Sequence, residues 1–220
     1  MSLQDRIDAF KADFEAGKPP YNAPNWIHEP MHRATKELID SGAASRALKV
    51  GDRAPAFTLK DPDGHEVSSA DLLAQGPLIV TFYRGAWCQC CQADLRDVMG
   101  YVNDLERTHT NALAVFHQIS PESSSRVSEE YGLRFPIVDD ADGRVAEAFG
   151  IRRTASEWAQ IEEELGSVVR TFRDGQPWIL PMQARYIVGP DGVIAHRDIV
   201  FDYNKRTSTA DLIPILERLS

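Results

Sequence analysis

The sequence predicts an α/β fold in which a mixed, largely parallel central sheet is flanked by helices and preceded by an N-terminal two-helix extension. From residue 50 onward, short apolar segments alternate with amphipathic ones, as in βαβ units. Residues 77–83 form a nearly continuous apolar run, which is typical of a strand buried on both faces. A chain of 220 residues can bury one full core with an appended element. We therefore expect a domain at residues 48–220 and an extension at residues 1–47.

The extension is predicted from apolar residues at helical spacing near the N-terminus. Leu3, Ile7 and Phe10 lie on one helical face, and glycine and prolines follow, so we expect a helix over residues 3–16. A second helix is expected from about Pro30 to Gly42, because the fixed φ of proline suits the first helical turn. These two helices precede the alternating pattern.

The first half of the domain is expected to alternate strands and helices. The predicted order is strand, capped helix, buried strand and a long helix opening at the cysteines, at residues 56–59, 69–74, 77–83 and from 88 to about 105. Apolar residues including Leu95 and Val98 occupy one face of the long helix. Charged residues, among them Asp94 and Asp97, lie off that face.

The second half of the domain continues this alternation and ends in a hairpin and a helix. The predicted elements are a strand, a helix, a strand, a short helix, two hairpin strands and a final helix, at residues 112–116, 121–131, 135–138, 145–149, 184–188, 193–200 and 212–219. Residues 152–178 have the character of an insertion with one helix at residues 157–165.

Charge and composition narrow the classes of partner. The chain has 24 Lys and Arg against 33 Asp and Glu, a net charge of −9, which disfavours nucleic acid and anionic membranes as partners. No apolar run approaches the roughly 20 residues that span a bilayer. The first residues mix acids and bases, unlike a secretory signal. We therefore expect a cytoplasmic protein whose partner is a small molecule or another protein.

The three cysteines of the chain are Cys88, Cys90 and Cys91. Cys88 and Cys91 form a C-x-x-C pair between a buried strand and an amphipathic helix, the setting in which such a pair is a redox dithiol. Unpaired N–H groups and the helix dipole stabilise a thiolate at a helix start. Two alternatives are small buried hydrophobic side chains, or a zinc site that would need a remote fourth ligand.

A second motif, H-E-x-x-H at residues 28–32, matches the letters of a zinc-protease signature. That signature needs two histidines one helical turn apart, and Pro30 argues against a helix that continues through all five positions. We therefore expect no metal here, and we expect no cofactor elsewhere in the chain.

The domain resembles a known family. The segments that carry the resemblance are residues 54–59, 63–64, 82–88 (FYRGAWC), 119–121, 135–139, 186–188 and 191–192. They are similar to the peroxiredoxin-like branch of the thioredoxin-fold superfamily, of the alkyl hydroperoxide reductase and thiol-specific antioxidant type. The resemblance implies a thioredoxin-like fold with the dithiol at the start of the first long helix. It also implies a peroxide substrate and an external dithiol reductant of the thioredoxin or glutathione type.

Two registers of this resemblance assign the nucleophile differently. Counted without gaps as a peroxiredoxin, Cys91 takes the attacking position and Cys88 replaces the threonine three residues earlier. Counted as a thioredoxin, Cys88 attacks and Cys91 resolves. The free N–H groups at the helix start favour Cys88.

Four further residues belong to the expected site. Trp87 is expected to pack beside the pair, and Cys90 stands where this branch commonly has an aromatic residue. Gln183 takes the place of the proline that thioredoxin folds put before the strand facing the dithiol. Arg185 shares a face with Gln183 and either supports a thiolate or peroxide or forms an interstrand ion pair.

The function that these observations favour is a thiol peroxidase, an antioxidant enzyme with Cys88 and Cys91 as the redox-active pair. One alternative is a thiol-disulfide oxidoreductase without peroxidase activity. Another is a redox-sensing or metal-binding module. The sequence also leaves a homodimer open.

Overall fold

The computed structural model describes residues 2–19, 22–85, 88–117, 121–154, 179–201 and 206–220. The strands in these ranges are β1 (Thr58–Lys60), β2 (Glu66–Ser68), β3 (Leu78–Tyr83), β4 (Asn111–Phe116), β5 (Ile137–Asp139), β6 (Arg152–Thr154), β7 (Ile179–Pro181), β8 (Gln183–Val188) and β9 (Ile194–Val200). The expected helix at residues 157–165 lies outside the described residues.

The helices of the described ranges are α1 (Leu3–Glu15), α2 (His28–Asp40), α3 (Ala43–Arg46), α4 (Ser69–Leu73), α5 (Gln89–Gly100), α6 (Val102–Arg107), α7 (Pro121–Tyr131), α8 (Arg144–Ala148) and α9 (Thr209–Leu216). They follow the predicted order, except that α3 was not predicted and the predicted long helix after the cysteines is divided into α5 and α6. A short 3-10 helix at Asn25–Ile27 precedes α2. Among these helices, none has the length and apolar character required to cross a membrane.

The main sheet has seven strands in the order β2-β1-β5-β4-β3-β8-β9. The ladders β3–β4 and β4–β5 are parallel, while β2–β1, β1–β5, β3–β8 and β8–β9 are antiparallel. The sheet is therefore mixed, as predicted, but the expectation that it is largely parallel is wrong. The reason is that β8 and β9 form a hairpin that enters the sheet beside β3 against its direction, and a second hairpin, β1–β2, adds to β5 in the same way.

Strand β3 lies at the centre of this sheet, and all six of its residues are buried. Alternating side chains separate onto two faces because the strand period is two. Leu78, Val80 and Phe82 pack into one apolar cluster with Phe149, whereas Tyr83 packs in another with the cysteines. The carboxyl end of β3 therefore delivers the chain to the cysteine segment from a fixed position.

The long helix expected after the cysteines is two helices. Helix α5 ends at Gly100, and α6 begins at Val102. Tyr101 between them has φ −116° and ψ 16°, which is outside the helical region. Glycine has low helix propensity, so a break beside Gly100 costs little. The apolar spacing continues across the break, which explains why the sequence predicted one helix.

Helix α1 of the N-terminal extension packs against α5, the helix that carries the cysteines. Leu3 and Ile7 are 2% and 1% exposed and share an apolar cluster with Cys88, Cys90 and Cys91. Part of the extension is thus continuous with the core around the dithiol.

Helix α2 runs through all five positions of the H-E-x-x-H match, which corrects the expectation that Pro30 prevents this. Pro30 is the third residue of the helix, in the first turn, where N–H groups have no intrahelical partner to lose. His32 Nε2 lies 3.3 Å from Glu15 Oε1, and the ring of His28 meets Phe14 edge-on at 5.2 Å between centroids.

Candidate active site

The cysteine segment opens helix α5. Cys88 is the N-cap residue of this helix, and Cys90 and Cys91 lie in its first turn. All three side chains are buried, with exposures of 3%, 1% and 0%, so Cys88 is the most accessible of them. Cys88 and Cys91 are both present as thiols. The structure thus places the C-x-x-C pair at a helix start, as the sequence predicts.

Gln183 donates hydrogen bonds to both sulfurs from one amide nitrogen. It is the first residue of β8, the strand that pairs with β3, and it is 3% exposed. Its amide Nε2 donates to Cys88 Sγ at 3.2 Å and to Cys91 Sγ at 2.9 Å. The residue that replaces the expected proline therefore contacts the dithiol directly through its side chain.

Two arginines direct positive charge toward Cys88. Arg84 follows β3, and its Nη2 donates to Cys88 Sγ at 3.4 Å. Arg206, which precedes α9, donates to Gln183 Oε1 from its own Nη2. Both arginine side chains are buried, at 8% and 7% exposure, so water screens their charges only weakly.

The pKa values of the two thiols move in opposite directions. Burial raises the pKa of Cys88, but a hydrogen bond from Cys91 and the charges of Arg84 and Arg206 outweigh it and hold the pKa well below its ordinary value. Burial raises the pKa of Cys91, and its hydrogen bond and charge interaction with Cys88 raise it further. The arrangement therefore favours a thiolate at Cys88 and a protonated thiol at Cys91.

Asp94 joins the surrounding charges into one buried network. Its carboxylate lies 2.7 Å from Arg185 Nη2 and 3.7 Å from Arg206 Nη1. It also accepts a hydrogen bond from the hydroxyl of Tyr83 at 2.8 Å. Asp94 is 2% exposed, although its position off the apolar face of the helix led us to expect a polar surface there. Its charge is compatible with burial because two cations and a hydroxyl surround it.

The other residues expected at the site differ in their placement. Arg185 is turned to Asp94 and donates from Nε to Thr81 Oγ1 at 3.3 Å, so its ion pair joins a strand to a helix and not two strands. Cys90 lies in the apolar cluster that α1 covers. Trp87 lies outside the described residues.

Three residues of the network, Arg84, Asp94 and Arg206, are not among the site residues that the sequence predicts. Arg84 was visible only as a letter of the FYRGAWC segment, and Asp94 lies three positions after Cys91, on the same side of α5. Arg206 lies in a segment without periodicity and carried no signal. The spacing from Cys91 to Asp94 was the one local clue available.

Within the described ranges, one group of three side chains of the kinds that bind metals comes together. It is formed by Asp61, Asp63 and His65 in the turn between β1 and β2. Asp61 uses its carboxylate for the turn itself, because it accepts from the backbone N–H groups of Asp63 and His65 at 3.0 and 2.8 Å. These contacts account for the acidic cluster as a turn motif.

The AhpC/TSA family matches residues 50–197 of this chain. Peroxiredoxin Bcp of Escherichia coli (strain K12) is 30% identical over 166 residues, which are 76% of this chain and 93% of that protein. Thiol-disulfide oxidoreductase ResA of Geobacillus kaustophilus is 33% identical over 109 residues, covering 48% of this chain and 59% of ResA.

The fold has a similar counterpart among solved structures. Peroxidoxin BcpB from Mycobacterium tuberculosis superposes with a TM-score of 0.61 at 18% sequence identity. The match covers 78% of this chain and 97% of that one, and it shows a shared thioredoxin-like fold. With the family match extending over residues 50–197, and a peroxiredoxin relative covered almost throughout, the chain belongs to the AhpC/TSA family.

Proposed function

We propose that this protein is a thiol peroxidase in which the Cys88 thiolate attacks a hydroperoxide and Cys91 resolves the product. The observation that carries the proposal is the asymmetry between two sulfurs held by one amide. Cys88 has the lowered pKa and the contact with Arg84, whereas the pKa of Cys91 is raised. Membership of the AhpC/TSA family supports thiol-dependent peroxide reduction as the chemistry.

The first step converts the thiolate into a sulfenic acid. The Cys88 sulfur attacks the terminal oxygen of the hydroperoxide, the S–O bond forms as the O–O bond breaks, and an alkoxide leaves that takes a proton from solvent to become an alcohol. The sulfur is oxidised and the peroxide is reduced by two electrons. The positive charges of Arg84 and Arg206 would also stabilise the negative charge that develops on the leaving oxygen.

The second step closes a disulfide. The Cys91 sulfur attacks the sulfenic sulfur of Cys88, the S–S bond forms, and the S–O bond breaks. The departing hydroxide takes the Cys91 proton and leaves as water, so a protonated Cys91 supplies what this step needs. The contact of both sulfurs with the single donor Gln183 supports this reaction, because it keeps the two sulfurs near each other.

The cycle then requires an external dithiol that reduces the Cys88–Cys91 disulfide by exchange. A reductant of the thioredoxin or glutathione type fits this role. Such reductants maintain thiols in the cytoplasm, where we place the protein.

Stopped-flow mixing of the reduced protein with hydrogen peroxide or an organic hydroperoxide tests the proposal. Cys88→Ser should abolish the fast reaction, because the remaining thiols are not activated. Cys91→Ser should allow one turnover and leave a sulfenic acid on Cys88 that a dimedone-type reagent traps. Cys90→Ser is the matched control and should keep the fast phase. Sulfenic acid on Cys91 in the Cys88→Ser protein would reverse the assignment.

A second candidate function is thiol-disulfide exchange without peroxide reduction. The observation that favours it is the C-x-x-C spacing at the N-cap of α5, together with the similarity to ResA over 109 residues. The two functions separate in one comparison. The second function is indicated if a protein disulfide oxidises the reduced protein rapidly, while peroxide oxidises it only at the rate of free cysteine.

A further inference from the structure

The amide of Gln183 occupies the centre of the buried site. Its Nε2 faces both sulfurs, and its Oε1 faces the guanidinium of Arg206. A glutamine amide has two chemically different ends, so its effect on a thiolate depends on which end points toward the sulfur. The donor end stabilises a thiolate, and the acceptor end destabilises it.

Arg206 determines which end faces the dithiol. A guanidinium carries only donors, so the group of Gln183 that meets it must be the carbonyl oxygen. The NH2 group is then directed to the sulfurs, with one hydrogen available for each of them. The two ends of an amide have similar shapes. The orientation of Gln183 is therefore assigned from the hydrogen-bonding character of its partners.

Asp94 holds Arg206 in turn. Its Oδ2 lies 3.7 Å from Arg206 Nη1 and also accepts from the hydroxyl of Tyr83, while its Oδ1 contacts Arg185 Nη2. Arg185 and Arg206 are far from Asp94 in the sequence, whereas Tyr83 is near it. Arg206 lies beyond the part of the chain that matches the family, and its backbone N–H donates to Gln4 Oε1 of α1 at 3.3 Å.

We propose that Gln183 is a positioning residue of the dithiol, held by Arg206 and through it by Asp94 so that its amide nitrogen donates to both sulfurs. This inference rests on the proposed function of Cys88 and Cys91. It assigns to Gln183 a different task from that of a proline at this place, which has no side-chain donor. A neutral donor that reaches both sulfurs supports a thiolate on Cys88 while it keeps Cys91 within reach.

The first experiment replaces Gln183 with methionine, which keeps the length of the side chain and removes both polar ends. Thiolate absorbance near 240 nm against pH reports the pKa of Cys88. Since the hydrogen bond from Gln183 stabilises the charged form of Cys88, its removal should raise the pKa of Cys88 by roughly one unit or more. The matched control is Gln92→Met, a glutamine of α5 next to Cys91 that accepts from the hydroxyl of Tyr131, and it should leave that pKa unchanged. An unchanged pKa in folded Gln183→Met overturns the proposal.

The second experiment uses Asp94→Asn, because two mechanisms give opposite signs. If Asp94 acts only through its negative charge, its neutralisation lowers the pKa of Cys88, since a thiolate forms more easily away from an anion. If Asp94 anchors Arg206 and thereby Gln183, its neutralisation raises that pKa. A rise supports the proposal, and a fall or no change overturns the anchored orientation. Near-ultraviolet circular dichroism verifies the fold of the variant.

The wild-type protein provides a readout that does not depend on a variant. In the 15N-labelled protein, both side-chain amide protons of Gln183 should shift as Cys88 titrates, and shift again when the Cys88–Cys91 disulfide forms. Resonances that stay in place during both changes overturn the proposal. Failure of the proposed function would be a separate result. Wild-type protein would then reduce peroxide slowly, while its Gln183 amide resonances would still shift as Cys88 titrates.

Discussion

Cys88 and Cys91 carry the same functional group three positions apart, and their surroundings give them different chemistry. Cys88 is the N-cap residue of α5 and accepts from Arg84, whereas Cys91 lies in the first turn, donates to Cys88 and is completely buried. Since the thiolate is the reactive species, the lowered pKa of Cys88 supports the proposal that Cys88 reacts at neutral pH.

The pH dependence of the peroxide reaction follows from this asymmetry. Because the pKa of Cys88 lies well below its ordinary value, the rate should rise with pH as the thiolate forms and reach a plateau below the free-cysteine value of about 8.5. Stopped-flow rates from pH 4 to 9 measure it. A rate that continues to climb above pH 8.5 would show that burial and not the arginines determines this pKa.

Arg84 is predicted to contribute to that lowered pKa. Arg84→Met removes the buried charge and the donor that contacts Cys88 Sγ, so the midpoint of the pH–rate profile should move to higher pH. Arg84→Lys keeps the charge and should restore part of the shift. Equal midpoints for the wild type and Arg84→Met would contradict the role.

The sequence points to the two thiols proposed to react more directly than to the residues that hold them. The C-x-x-C spacing after a buried strand makes Cys88 and Cys91 candidates without any structure. Asp94 was assigned to the polar face because helical spacing puts it off the apolar face, and its partners Arg185 and Arg206 lie more than ninety positions away. Burial of a charge depends on long-range partners, which a local pattern does not contain.

At the scale of elements, the buried central strands were easier to predict than the ends of helices, whereas the short strands β2, β6 and β7 were not predicted. Strand β3 was evident because every residue of it is apolar or small and buried. The break at Tyr101 and the continuous start of α2 at His28 both depend on which backbone groups are satisfied at a helix end. The apolar spacing that identifies a helix does not report this.

Helix α1 is predicted to stabilise the cysteine helix through Ile7. Ile7 is 1% exposed against α5, so Ile7→Ala should lower the free energy of unfolding by about 2–5 kcal/mol. The matched control is Ile39→Ala in α2, where the side chain is 49% exposed and the change should stay within about 0.5 kcal/mol. Urea denaturation followed by circular dichroism measures both. Similar losses for the two variants would show that α1 adds no specific packing.

For the whole molecule, the question is where the domain that carries the dithiol begins. The sequence places this boundary between residues 47 and 48, where the alternating pattern starts. In the structure, Ala43 and Ala47 are each 2% exposed and pack into the same cluster as Phe149 and Ile151. The guanidinium of Arg197 on β9 also donates to the carbonyls of Ala47 and Leu48 at 3.1 and 3.0 Å. These contacts give residues 43–47 a place in the main core.

Two truncated chains distinguish the possible boundaries. Both lack α1 and should be less stable than the full chain, because the apolar surface that Leu3 and Ile7 cover becomes exposed. The chain of residues 43–220 keeps α3 and its contacts with Arg197, so its free energy of unfolding should exceed that of residues 48–220. Urea denaturation of the two proteins makes the comparison. Equal stabilities would instead support the boundary at residue 48, since the contacts of Ala43 and Ala47 would then add nothing to a domain that folds without them.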